Sequence, residues 1–216
     1  MHKYFIRIPW FVKQVFSSYI WSIDTDEKVV FLTFDDGPHP AITPWVLEQL
    51  RLYNAKASFF CIGKNVRQHP EVYEQILQDG HTVGNHTYNH VNGWKVDTEI
   101  YLADIAQAAA LIQTNLFRPP YGRIKSKQAK QIHVAMNCKD AKLIMWDVLS
   151  ADFDQNITNE ECFNNALGYT NGSIIVFHDS EKAFPHLQFV LPKLLKHLDE
   201  KGYQCKGLIH ETQACK

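Results

Sequence analysis

The chain has 216 residues, 45% of them hydrophobic and 12% aromatic, enough to bury one sizeable core and too few for two comfortable domains. Lys plus Arg number 22 against 23 Asp plus Glu, a formal charge of −1 with no single block of like charge. A nucleic-acid partner, which usually leaves a basic stripe, is therefore not expected, and no apolar run approaches the ~20 residues needed to span a bilayer.

Residues 1–28 form an N-terminal segment in which Lys3, Arg7 and Lys13 are mixed with aromatics. It lacks the apolar block and small-residue cleavage site of a signal peptide. Pro9 interrupts any long amphipathic helix, so the segment is expected to pack on the domain or to lie at a membrane surface.

From residue 29 onward, short runs rich in β-branched and aromatic residues alternate with longer amphipathic stretches. Strands are predicted at 29–34 ("VVFLTF"), 57–62, 81–85, 116–118, 141–148, 173–178 and 203–208. A helix over 43–53 is predicted from Thr43 as its cap, Pro44 in the first turn and Val46, Leu47 and Leu50 on one face. Another runs from Pro70 to residue 79, before Gly80. The longest, 97–114, sets Ile100, Ala103, Ile105, Ala108, Leu111 and Ile112 on a helical period; others are predicted near 126–136, 159–168 and 186–201. Strands alternating with helices imply parallel pairing and an α/β fold over 29–216, either a small (β/α) barrel or an open doubly wound sheet.

The cysteines, Cys61, Cys138, Cys162, Cys205 and Cys215, are odd in number, widely spaced and without a CxxC pair. They read as free thiols of a reducing compartment, so a cytoplasmic or membrane-associated location is expected.

The residues able to do chemistry gather at one place in every unit. Asp35 and Asp36 follow the first strand, His86 and His90 the third, Arg118 ends the fourth, Asp152 follows "LIMWDV", and His178 closes "IIVF". All fall at the carboxyl ends of predicted parallel strands, where α/β folds build active sites. Two imidazoles four residues apart in "HTYNH" would share one face of a helical turn and reach a single divalent ion. Adjacent aspartates point in different directions, so one can face an ion and the other a water; "DDGPHP" is equally good turn chemistry.

"TFDDGP", "HTYNH", "RPPYG" (118–122) and "IIVFHD" (174–179), in that order, together resemble the signature set of the NodB-homology polysaccharide deacetylases, carbohydrate esterase family four. The resemblance spans about residues 29–208. It implies a distorted (β/α) barrel of about seven parallel strands and a hydrolase that removes N-acetyl groups from an amino-sugar polymer or oligosaccharide. It implies one divalent metal, zinc first with cobalt or nickel as alternatives, on Asp36, His86 and His90. Asp35 would be the general base, held by Arg118; His178 the general acid, oriented by Asp152; and the backbone N–H of Tyr121 an oxyanion donor.

One motif departs from the family. Where relatives read D-x-x-D-W, this chain has "LSADF", with Leu149 for the first Asp and Phe153 for the Trp, which implies an altered substrate pocket. Asp147 and Asp154 are possible stand-ins, more simply read as solvated loop charges, and Lys56 is a possible partner of Asp152. Tyr121, Phe153 and Trp94 are the candidate sugar platforms, with Tyr88 and Phe184 behind them. A monomer acting on an N-acetylated glycan is expected. The alternatives are an O-acetyl esterase and a catalytically silent glycan-binding barrel.

Overall fold

The computed structural model describes residues 4–208. Continuous apolar runs at 29–35 and 57–61 become strands buried along their whole length, β1 (Val29–Asp35) and β2 (Ala57–Cys61), as expected for parallel strands covered on both faces. Between and after them come α2 (Ile42–Leu52), α3 (Gly63–Gln68), α4 (Pro70–Gln78) and β3 (Thr82–Asn85), the first helix, α1 (Trp10–Val15), lying ahead of β1. The chain continues through α5 (Thr98–Ala109), β4 (Leu116–Phe117), a 3-10 turn (Pro120–Gly122), α6 (Ser126–Ala129), α7 (Ile132–Ala135), β5 (Lys142–Leu143) and β6 (Val148–Leu149). It ends with α8 (Asn159–Ala166), β7 (Ile174–His178), α9 (Phe184–Glu200) and β8 (Gln204–Cys205).

The strand order is β5-β4-β3-β2-β1-β7-β6, every pair parallel, with β8 added along the start of β1. This is the distorted (β/α) barrel, curled rather than closed. The single strand expected at 141–148 is instead two short strands, β5 and β6, at opposite ends of the strand order. Its middle residues bond elsewhere: Met145 N–H donates to Ile20 O at 2.7 Å, and Asp147 O accepts from Ile8 N–H at 3.0 Å.

The N-terminal segment thus supplies the backbone partners that the two edges lack. Ile20 N–H donates to Leu143 O (2.9 Å) on one edge, and Leu149 N–H donates to Ile6 O (2.8 Å) on the other. Trp21 is buried beneath it and donates its Nε1–H to Phe16 O at 3.0 Å.

The main core lies between the sheet and α2, α4, α8 and α9, with Leu47, Leu50, Ile76, Leu187, Leu191 and Leu194 wholly buried against Leu32, Phe34 and Phe177. α9 carries Pro192 inside it and still buries one face at the helical period. Among the cysteines, Cys61, Cys162 and Cys205 are free, but Cys138 is disulfide-bonded, against the expectation that all five are thiols; Cys215 lies outside the described residues.

Candidate active site

The base and acid candidates sit side by side because of strand register. Asp35 ends β1, His178 ends β7, and the two are opposed residues in the ladder that joins those strands. Asp35 is buried, and its Oδ1 accepts from Arg118 Nη1 at 2.6 Å.

Arg118, also fully buried, makes three further hydrogen bonds: Nη1 to Thr33 Oγ1 (2.7 Å), Nη2 to Met145 O (2.9 Å) and Nε to Ile144 O (3.4 Å). Its guanidinium lies 4.0 Å from the centre of the Phe60 ring. A charge held this way cannot swing, so one oxygen of Asp35 is fixed and the other, Oδ2, faces His86 Nε2 at 3.9 Å.

Asp36 turns away from its neighbour because its backbone is left-handed (φ 81°). Its Oδ1 lies 3.2 Å from His90 Nε2 and 3.8 Å from His86 Nε2, and the three donor atoms fall within 4.8 Å of one another.

His86 Nδ1 is 2.7 Å from Arg118 O. A carbonyl can only accept, so Nδ1 carries the proton and Nε2 presents its lone pair to Asp36. Burial pushes the His86 pKa down to about 4, which keeps the imidazole neutral, the form that ligates metal. Asp36 Oδ1 is buried without a hydrogen bond. An unpaired buried carboxylate oxygen facing two imidazole nitrogens is the arrangement a divalent cation satisfies, so the residues present fit the expected ion.

"HTYNH" reaches this geometry without a helix, contrary to expectation. Thr87 and His90 are both left-handed (φ 63° and 56°), and the two His rings lie 5.2 Å apart. The loop is shaped by residues that the motif does not contain. The buried Asp104 carboxylate on α5 accepts from Tyr88 N–H (2.8 Å), Asn89 N–H (2.9 Å) and Asn89 Nδ2 (2.6 Å), while Asn85 Oδ1 caps Thr87 N–H at 2.8 Å.

Around Asp36, Asn65 Nδ2 donates to its carbonyl at 2.7 Å, and the buried Asp179 accepts from Gly37 N–H at 2.9 Å and from the Thr43 hydroxyl. A Cβ on Gly37 would fall 2.1 Å from Asp179 Oδ2, so only glycine fits there. The Gly37–Pro38 peptide is cis. Sequence reasoning missed Asp104, Asn65 and Asp179; the only signal for any of them is the Asp that follows His178 in "IIVFHD".

Across from the metal triad, the wholly buried Asp152 grips His178 twice, Oδ1 to Nδ1 at 2.7 Å and Oδ2 to the backbone N–H at 2.8 Å. Burial alone would lower the pKa of His178, but the Asp152 charge and hydrogen bond, with Asp36 and Asp35 behind them, outweigh it and raise it to about 10. With its proton at Nδ1 directed to Asp152, the ring's Nε2 is the atom free to exchange a proton with a substrate.

Phe153 stands edge-on to His178 at 5.2 Å, and the Tyr121 ring, on a left-handed residue of the 3-10 turn, lies 4.6 Å from His90. Trp94 is exposed, with Nε1–H donating to Ile124 O at 3.2 Å and Arg123 over its ring at 5.1 Å.

Other expectations are corrected. Tyr88 is buried in the core and so is no sugar platform, while Phe184 is half-buried and packs edge-on to Trp45. Lys56 gives its ammonium to the Asp79 carbonyl, not to Asp152. Asp147 is no solvated loop charge: it is buried and accepts from Ser173 Oγ and Ile174 N–H, each at 2.9 Å, at the opposite end of β7 from His178. Asp154 accepts from Tyr4 OH at 2.5 Å. Leu149 is a core residue of β6.

A family model described as "Polysaccharide deacetylase" matches residues 22–138, and a peptidoglycan-N-acetylglucosamine deacetylase of Bacillus cereus is 33% identical over 193 residues, covering 85% of this chain and 88% of the relative. The chain belongs to the polysaccharide deacetylase family. A chitooligosaccharide deacetylase of Azorhizobium caulinodans is 34% identical over 168 residues, 73% of this chain and 76% of that one. Among solved structures, a peptidoglycan N-acetylglucosamine deacetylase in complex with 4-naphthalen-1-yl-N-oxidanyl-benzamide superposes with a TM-score of 0.82 at 30% identity, covering 93% of this chain and 95% of that chain. The four motifs fall inside the barrel this family shares, and three of them meet at the triad and Arg118.

Proposed function

We propose that this polysaccharide deacetylase removes N-acetyl groups from an amino-sugar glycan, releasing acetate and a free amine. The observation that carries the reading is a base carboxylate and an imidazolium fixed on neighbouring strand ends, with a metal-competent triad beside them. Asp36, His86 and His90 would hold one divalent ion, zinc before cobalt or nickel, which when bound polarises an acetyl carbonyl and acidifies a water.

Asp35, fixed by Arg118, takes the proton from the attacking water as its oxygen bonds to the acetyl carbon. His178, kept charged by Asp152, gives its Nε2 proton to the sugar nitrogen as the C–N bond breaks, so an amine leaves rather than an amide anion. The Tyr121 N–H is proposed to support the oxyanion. Phe153 and the Tyr121 ring flank the two catalytic imidazoles and are proposed to hold the sugar, with Trp94 further out on the rim.

Relatives named for peptidoglycan N-acetylglucosamine and for chitooligosaccharide make glycans rich in N-acetylglucosamine the first substrates to try. One chain supplies every group named, so a monomer suffices. The Cys138 disulfide favours an oxidising compartment over the cytoplasm.

Asp35→Asn is expected to abolish acetate release from chitooligosaccharides while zinc, titrated against a chromogenic chelator, still binds. His86→Ala is expected to lose the zinc. Turnover surviving in Asp35→Asn would remove the base assignment.

A further inference from the structure

Two stretches about a hundred residues apart meet beside the seam of the barrel. One is the N-terminal segment; the other runs through α6 and α7 to residue 142. Phe16 and Tyr19, stacked at 5.5 Å, wall a groove of about 560 Å³ that is also lined by Lys130, His133, Lys139 and Lys142 and, among the described residues, by no carboxylate. In sequence, residues 1–23 and 123–142 hold nine of the 22 Lys and Arg and one of the 23 Asp and Glu. The groove itself carries Lys130, Lys139 and Lys142, while Lys13 and Lys127 are paired with Asp147 and Glu99.

Val15 and Phe16 continue the groove wall into an exposed apolar stretch. α1 contributes no buried residue. Trp10, Phe11 and Val15 are 75%, 52% and 73% exposed, and Phe5, in the strand-like stretch before it, 57%. Five of the twelve exposed large apolar side chains among the described residues lie between positions 5 and 16. Their direction is fixed: Tyr4, Ile6 and Ile8 alternate inward while Phe5 and Arg7 point out, and Lys13 is tied to the buried Asp147 at 3.7 Å. Exposing these aromatics does nothing for the fold, and such patches mark docking surfaces.

We propose that this face docks on an anionic lipid bilayer. Trp10, Phe11 and Phe5 enter the headgroup layer, and Arg7, Lys130, Lys139 and Lys142 meet its acidic phosphates. A protein partner would be met by mixed charge, and a soluble polyanion has no use for four outward aromatic and aliphatic side chains. The combination of apolar wedge and basic collar fits a membrane interface. None of these residues belongs to the catalytic machinery, so the surface can be tested independently of the proposed reaction.

The experiment is co-sedimentation of the full chain with phosphatidylcholine vesicles, with and without about 30% phosphatidylglycerol. The chain is expected to pellet with the anionic vesicles and to be released by ~0.5 M NaCl. Trp10→Ser with Phe11→Ser should lower the partition coefficient about tenfold, and Lys130→Gln, Lys139→Gln and Lys142→Gln together should erase the preference for phosphatidylglycerol. Both variants should keep the wild-type Tm and turnover on soluble chitooligosaccharide. Unchanged partitioning of the aromatic variant overturns the proposal. So does binding to soluble polyphosphate without binding to vesicles, or a concentration-dependent dimer, seen by analytical ultracentrifugation, that forms in place of vesicle binding.

Discussion

Arg118 shows how the site is built residue by residue. It is the largest wholly buried side chain, and a guanidinium without water is tolerable only when its donors are used. Arg118→Met would strand Asp35 and is expected to lower unfolding free energy by about 3–5 kcal/mol, read from urea denaturation.

At the other half of the site, Asp152→Asn removes the charge that raises the His178 pKa to about 10. A raised imidazole pKa keeps the acid form up to that pH, and its coupling stabilises the fold fully below ~6.5, losing that contribution as pH rises through 10. The alkaline limb of the pH–rate profile for amide cleavage is therefore expected to move to lower pH in Asp152→Asn. His178→Ala should harm an N-acetyl substrate more than an O-acetyl ester, whose oxygen leaves with less need of a proton.

Asp35, Asp36, His86, His90, Arg118 and His178 could be picked out in the sequence because ordered motifs contain them, and Asp152 because it is the one acidic residue kept in "LSADF". The tautomer of His86 could not, because the carbonyl that sets it is 32 residues away.

At the scale of elements, long periodic segments were readable, and the two-residue strands β5 and β6 were not. α2, α4, α5 and α9 lie where apolar spacing puts them. β4 lies within the predicted 116–118, but β5 and β6 have two residues each, too few to carry a pattern, and both edges also bond to the N-terminal segment.

The "HTYNH" loop failed as a helix because Asp104 gathers three of its N–H groups, more than a helical turn could offer one carboxylate. Asp104→Ala is expected to weaken zinc binding by about 10–100-fold, by competition with a chelator, with the core largely intact. On the opposite side of the site, Gly37→Ala would drive a methyl into Asp179 and should lower both Tm and turnover.

At the scale of the molecule, the barrel is completed by a segment outside it. Removing residues 1–22 would take Ile20 and Ile6 from the two open edges and Trp21 from its pocket. A fall in Tm of about 10 °C or more is expected by calorimetry, given ~2–4 °C per kcal/mol for a chain of this size. The two basic stretches can be counted in the sequence, but their meeting at one groove cannot, because the whole site separates them in the chain.

The pairing of Asp35 with His178 in the β1–β7 ladder has a wider implication. The spacing of the proposed proton acceptor and donor is set by main-chain hydrogen bonds, ~4.8 Å between strands, while Arg118 and Asp152 aim the two side chains. The loop bearing Trp94 touches neither of those contacts and is free to diverge. On the proposed reading, exchanging the 91–97 loop with that of a relative should change which sugar is taken while leaving the chemical step intact.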